Sequence, residues 1–192
     1  KRRKIFGGII GTIRKDFKYK IVKNFLTKDE VKLFTHYCEI KHRTNTDSFD
    51  RGKNADTQYY GDAIMESLLL SKQKKLEKET NKKLLPTYAF WRMYTRFSEL
   101  SEHKDRAACE ISVTVHIGSD GTEWPFYVEK EKIISQPGDG VIYLGCDLKH
   151  SRDEFQGDWH AQTFLHYVDA EGPNKDHHMD KRAYWNTQNK IR

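Results

Sequence analysis

The sequence predicts an α+β fold that is mainly β: a jelly-roll core with N-terminal helices packed on one face. Two observations carry this. Up to Pro86 the apolar residues recur at helical spacing, whereas from Thr87 they alternate in short runs separated by turn residues. Short strands that follow helices, rather than alternating with them, suit a two-sheet β core with a helical flank. At 192 residues the chain reads as one domain. Its parts are an N-terminal arm (1–16), a helical flank (17–86), the jelly-roll core (87–168) and a C-terminal extension (169–192).

Phe17 to Phe25 alternates in part and reads as a short strand. Thr27–Lys28–Asp29–Glu30 has the capping-box form, a hydroxyl at the cap and a carboxylate three residues on. Val31, Leu33, Phe34, Tyr37 and Cys38 then supply the apolar stripe of a helix over 28–41. A polar loop, 42–58, follows, long enough for a lid or binding loop. A second helix runs from Asp62 to about Glu79, with Ile64, Met65, Leu68, Leu69 and Leu76 facing the core; Pro86 closes the segment.

The strands begin with Thr87–Phe97, where regular alternation sets Arg92 and Tyr94 on one face. In Cys109–Gly118, Ile111, Val113, Val115 and Ile117 share one face; Ser112, Thr114 and His116 share the other. Trp124–Val128 and Lys132–Ile134 read as a hairpin, Gln136–Gly140 as a turn, Val141–Leu144 as a strand, and Trp159–Val168 as the last strand.

Composition narrows the function classes. The apolar fraction is 36% and the aromatic fraction 12%, which is globular, and no apolar run approaches the length of a membrane span. The basic start, Lys1–Gly8, reads as an arm or first strand rather than an export signal. Cys38, Cys109 and Cys146 are odd in number and widely spaced, which suits reduced thiols in a cytoplasmic compartment and gives no Cys-x-x-Cys zinc pair. The net charge of +6 leaves nucleic acid open as a partner. The lysines of 72–83 are interspersed with acids, however, and read as a solvated helix face, and no aromatic–basic ladder for a single strand is evident.

The chemistry-bearing stretch is Leu100–Arg106. On an extended backbone His103 and Asp105 project from the same face, with Lys104 turned away, and can grip one metal ion. His150, just past a later apolar run, is the leading third ligand. Two histidines and a carboxylate on one face of a metal suit non-haem Fe(II) and oxygen chemistry. The triplet alone also arises as a solvated loop pair.

The order Tyr94, His103-x-Asp105, strand, Pro-Gly-Asp turn, strand, His150, closing strand resembles the 2-oxoglutarate- and Fe(II)-dependent dioxygenases, most closely the prolyl 4-hydroxylase-like branch. The resemblance spans roughly 20–170 and includes the helix start Asn24–Val31. It implies a double-stranded β-helix core with Fe(II) on His103, Asp105 and His150. It also implies O2 and 2-oxoglutarate as cosubstrates, ascorbate as a stimulant, and hydroxylation of a C–H bond in a peptide or protein, with proline the foremost residue.

The resemblance further implies that Tyr94 hydrogen-bonds the cosubstrate and that a Lys or Arg about ten residues after the distal His pairs its far carboxylate. Here that offset lands on His160, and no Lys or Arg lies between Trp159 and Val168. A protonated His160 aided by Gln162 ranks first by position and Arg92 second by chemistry, with Arg152 and Arg106 also open. His116 and Thr114 are candidate pocket groups, and His166 an alternative metal ligand. His177–His178 reads as solvent-exposed, and Tyr184–Trp185 as a docking point. The competing classes are a metal- or ligand-binding jelly roll without turnover, a dioxygenase acting on nucleic acid or a small molecule, and a zinc hydrolase on the same three ligands.

Overall fold

The computed structural model describes residues 17–44 and 56–182. The N-terminal arm, residues 45–55 of the polar loop and Tyr184–Trp185 lie outside these. The capping box forms reciprocally: Glu30 N donates to Thr27 Oγ1 (3.1 Å) and Thr27 N to the Glu30 carboxylate (2.8 Å). It starts helix α1 (Lys28–Thr44), which buries Phe34 and Cys38. Leu33, expected in the apolar stripe, is instead 57% exposed. It sits one residue, or about 100° of helix, away from Phe34. The helix also runs through Thr44, so the predicted loop begins later.

Strand β1 (Tyr19–Val22) precedes α1, and β2 (Thr57–Tyr60) follows it, beginning in the last two residues of the stretch read as loop. Asp62 caps α2 (Ala63–Thr80) by accepting from Ile64 N, and Asn81 in the left-handed conformation ends it. Pro86 therefore does not close the helix. It lies inside β3 (Leu84–Thr95), opposite Tyr167 where the register slips, a place where a residue lacking N–H is tolerated.

The remaining strands are β4 (Leu100–His103), β5 (Ile111–Ser119), β6 (Phe126–Val128), β7 (Glu131–Ile133), β8 (Gly140–Tyr143), β9 (His150–Arg152) and β10 (Trp159–Asp169). They form a six-stranded sheet, β1-β8-β5-β10-β3-β2, and a four-stranded one, β4-β9-β6-β7, with every pairing antiparallel. The predicted mainly-β jelly roll with helices on one side is the observed architecture.

Alternation gives the large sheet two different faces. Outward, Trp91, Met93, Val113, Val115, Leu165 and Tyr167 pack on Phe34, Cys38, Met65, Leu68, Leu69 and Leu76 of the helices. Burying each such side chain contributes about 1.5–3 kcal/mol. Inward lie Tyr94 and Phe164 with Trp124 and Phe155, and Tyr143 with Phe126. The inner face also carries Arg92, Thr114, His116, His160, Gln162 and His166.

Two surface expectations change. Lys72 is not simply solvated: it bridges α2 to Glu30 of α1 at 2.7 Å. His177 and His178 are only partly exposed, in a 3-10 segment (Lys175–Lys181) that packs on β3. That segment is held by Arg106 on Asp180 and by Arg182 on Glu66 (2.6 Å). Among the described residues no helix is long and apolar enough to cross a membrane.

The turn before β8 depends on Asp139, whose carboxylate accepts from Gln136 N (2.9 Å), Asn24 N (3.3 Å) and Lys23 Nζ (2.6 Å). Burial raises its pKa, but these donors outweigh burial and hold it below the usual carboxylate range. We expect Asp139→Ala to lower unfolding free energy by about 1–3 kcal/mol in urea melts at neutral pH. The folded carboxyl titrates below the unfolded value of about 3.9, so the stabilisation is complete above that pH and lost as pH falls through the folded pKa. Wild type and variant should converge in acid.

Candidate metal centre

Strand β4 pairs with β9 so that His103 lies directly opposite His150. The rings are 4.3 Å apart. The backbone fixes both tautomers. His103 Nδ1–H donates to Ser101 O (2.8 Å) and His150 Nδ1–H to Leu148 O (3.0 Å). A carbonyl only accepts, so in each neutral ring Nε2 is left with its lone pair, the arrangement seen in metal-ligating histidines.

Asp105 follows β4, its N–H bonded to Gly145 O (2.9 Å), while Lys104 is exposed. Gly145 is required there: a Cβ would stand 2.6 Å from Asp105 Oδ2 and 2.6 Å from Cys109 O. Asp105 Oδ1 lies 3.4 Å from His103 Nε2 and 3.5 Å from His150 Nε2. One donor atom from each of the three residues falls within 4.8 Å of the other two. Burial pushes the Asp105 carboxyl up, but the two imidazoles outweigh it and hold it well below the usual range. A hydrogen bond from Nε2–H to Asp105 raises His103, so the ring takes up a proton there when no metal holds Nε2 and gives it up when one does. Two lone-pair nitrogens and an ionised oxygen fit a divalent transition metal.

The three residues open on a cavity of about 150 Å³, also lined by Tyr88, Phe90, Arg92, Tyr94, Leu100, Tyr143, Phe164 and His166. Tyr143 packs 4.8 Å from the His150 ring. It was not singled out from the sequence, although alternation in its strand sets it inward with Val141.

The candidate carboxylate anchors separate clearly. His160 does not line the cavity. Its Nε2 bonds to Gln162 Oε1 (2.8 Å), and Gln162 Nε2 donates to Thr114 Oγ1 (2.5 Å). The ring stacks on His116 at 4.2 Å and meets Trp124 edge-on. Burial pushes its pKa well below the ordinary value, so the expected protonated His160 is corrected to a neutral interior residue. His116 and Gln162 belong to this same deeper cluster and not to the cavity wall, His116 bonding Ser135 O through Nδ1 (3.1 Å).

Arg92 does line the cavity and stacks on Tyr94 at 4.3 Å, but Asp56 takes both its Nε (2.7 Å) and Nη2. Arg106 is occupied by Asp180 at 2.6 and 2.7 Å. Arg152 differs. It is 3% exposed, lies over the Trp124 (4.6 Å) and Phe126 (5.3 Å) rings, and donates Nη1 to Trp124 O (2.6 Å). Among the described residues its Nε and Nη2 have no hydrogen-bond partner. Burial pulls its pKa down to about 10, so it stays cationic at neutral pH.

Neither family models nor characterised proteins match the sequence. Solved structures are similar in fold. The 2-oxoglutarate-dependent epimerase SnoN of nogalamycin biosynthesis superposes with TM-score 0.66 at 14% identity, covering 80% of this chain and 78% of that one. HygX from Streptomyces hygroscopicus, with nickel and 2-oxoglutarate bound, gives 0.63 at 12% over 80% and 84%. A Pseudomonas putida prolyl-4-hydroxylase gives 0.61 at 12% over 80% and 94%. The resemblance read from the motif order is thus borne out at the level of the fold, which this chain shares with the 2-oxoglutarate-dependent epimerase, the 2-oxoglutarate-bound HygX and the prolyl-4-hydroxylase.

Burial also pulls His116 down to about 4. The unfolded chain takes up protons first, so the contribution of His116 and His160 is complete above about pH 6.5 and lost as pH falls toward their folded values. We expect unfolding free energy to drop by up to about 1.4 kcal/mol per pH unit for each ring over that window. Urea melts at pH 7 and pH 5 should show a smaller drop in His116→Gln.

Proposed function

We propose that this chain is an Fe(II)- and 2-oxoglutarate-dependent oxygenase that hydroxylates a C–H bond. In this reading His103, Asp105 and His150 hold the metal and Arg152 pairs the far carboxylate of 2-oxoglutarate. One observation carries it: three ligand atoms for a metal lie one strand step from a buried guanidinium whose Nε/Nη2 edge has no hydrogen-bond partner among the described residues. Arg152 is two residues beyond His150 on β9, so the two side chains share a face. Nε and Nη2 form the edge of a guanidinium that grips a carboxylate with two parallel bonds. An unpaired buried cation is costly, and a dianionic cosubstrate offsets that cost.

Fe(II), 2-oxoglutarate and O2 together supply the oxidising power, with succinate and CO2 as coproducts. The chain supplies position. Ser101 and Leu148 carbonyls aim the two Nε2 lone pairs, and Gly145 makes room for Asp105. Tyr94 is the further candidate for bonding the cosubstrate, buttressed by Arg92 that Asp56 holds in place.

The substrate we propose is a prolyl residue of a peptide or protein. The motif order most resembles that of the prolyl 4-hydroxylase-like branch, and Phe90, Phe164 and Leu100 offer an apolar wall for a pyrrolidine ring. A small-molecule substrate is the second reading, favoured by the likeness to the nogalamycin-pathway epimerase. The three free cysteines fit a reducing, cytoplasmic setting.

The test is succinate release in air and the visible band of the anaerobic complex with Fe(II) and 2-oxoglutarate. We expect both in the wild type and neither in His103→Ala or His150→Ala. Arg152→Gln should weaken 2-oxoglutarate binding about tenfold or more, as loss of a charge-assisted pair does. Metal binding with no band and no succinate, together with unchanged 2-oxoglutarate affinity in Arg152→Gln, would favour a jelly-roll module without turnover. Proline-containing peptides and small hydroxylatable compounds, compared for stimulation of succinate release, separate the two substrate readings.

A further inference from the structure

Asp105 divides its two oxygens. Oδ1 faces His103 and His150, whereas Oδ2 is buried and has no hydrogen-bond partner among the described residues. Beside this carboxylate stand Cys109, in a 3-10 turn just before β5, and His166 on β10, and one ligand atom of each of the three residues lies within 4.8 Å of the others. We propose that Asp105, Cys109 and His166 form a second divalent-cation site, suited to Zn2+, beside the first and sharing only Asp105 with it.

The hydrogen bonds around His166 prepare it as a ligand. Ser112 Oγ donates to Cys109 O (3.1 Å), so at 2.8 Å it accepts from His166 Nδ1–H. The Nε2 lone pair is then left free, in a ring that is 5% exposed and lines the cavity. A partner fixing the far nitrogen is what metal-ligating histidines ordinarily have. The Tyr88 hydroxyl lies 3.1 Å from Cys109 Sγ, placed to donate to a thiolate. Zn–N and Zn–O bonds near 2.0 Å and Zn–S near 2.3 Å put tetrahedral ligand atoms about 3.3–3.6 Å apart, so the group needs to contract by about 1.5 Å at most. A thiolate in the set selects a softer ion than Mg2+ or Ca2+. On binding, the Cys109 thiol gives its proton to solvent as sulfur bonds the metal, and no electron is transferred.

The test removes the first centre and probes the second with Co2+. The His103→Ala/His150→Ala double variant, its fold checked by circular dichroism, should take up one Co2+ per chain and show a near-ultraviolet thiolate-to-cobalt charge-transfer band. Adding Cys109→Ser should abolish the band, adding Cys146→Ser should leave it, and His166→Gln should weaken binding about tenfold or more. In parallel, zinc bound per chain after dialysis of the wild type should be two, falling to one in Cys109→Ser, and this arm decides should the double variant not fold. No band in the folded double variant, a band that survives Cys109→Ser, or zinc content indifferent to Cys109→Ser would overturn the site and leave a bridging water as the partner of Oδ2. Because these readouts use neither 2-oxoglutarate nor O2, their failure is separate from failure of the oxygenase reading.

Discussion

The pairing of β4 with β9 is the contact on which the metal centre depends. Each strand is only three or four residues long, yet their antiparallel register sets His103 against His150 and leaves Asp105 one step beyond, under Gly145. Neither strand has enough apolar residues to hold its own place. They are held because β9 also pairs with β6, and because the inner aromatics Phe126 and Tyr143 close around His150. The geometry of the centre is therefore a product of sheet-on-sheet packing. A slip of one residue in β9 would turn His150 and Arg152 outward together.

The interior between the sheets is polar to an unusual degree, and the molecule copes in two ways. Where a charge is retained it is mostly paired: Asp56 receives Arg92, Thr95 and Ser98, a set that satisfies the carboxylate. Where pairing is incomplete the group gives up its charge, as in the neutral His116, His160 and His166. Arg152 follows neither course, because a guanidinium cannot readily deprotonate. Its unsatisfied edge, like the unsatisfied Asp105 Oδ2, is the kind of exception that calls for a ligand.

The fold was legible because periodicity changes sharply at the boundary between the helical flank and the strands, and the capping box and the alternation of Ile111–Ile117 translated directly into structure. The short strands β2, β4 and β9 were not legible, since three or four residues hold too little pattern. That omission had a consequence for the site. The same-face argument that joined His103 to Asp105 applies equally to His150 and Arg152, but only once 150–152 is known to be extended. Without it, the spacing implied by the resemblance pointed to His160, whose burial among aromatic rings denies it a proton. The Asp105–Cys109–His166 grouping joins the segment after β4, the 3-10 turn before β5 and strand β10, and no spacing rule announces it.

The measurement that bears most directly on the account is a crystal structure with Mn2+ and 2-oxoglutarate, the metal located by anomalous scattering. The account predicts a metal bound by His103 Nε2, His150 Nε2 and Asp105 Oδ1, with the far carboxylate of 2-oxoglutarate on the Nε/Nη2 edge of Arg152. A metal bound elsewhere, or a carboxylate held by another cation while that edge stays unpaired, would contradict it.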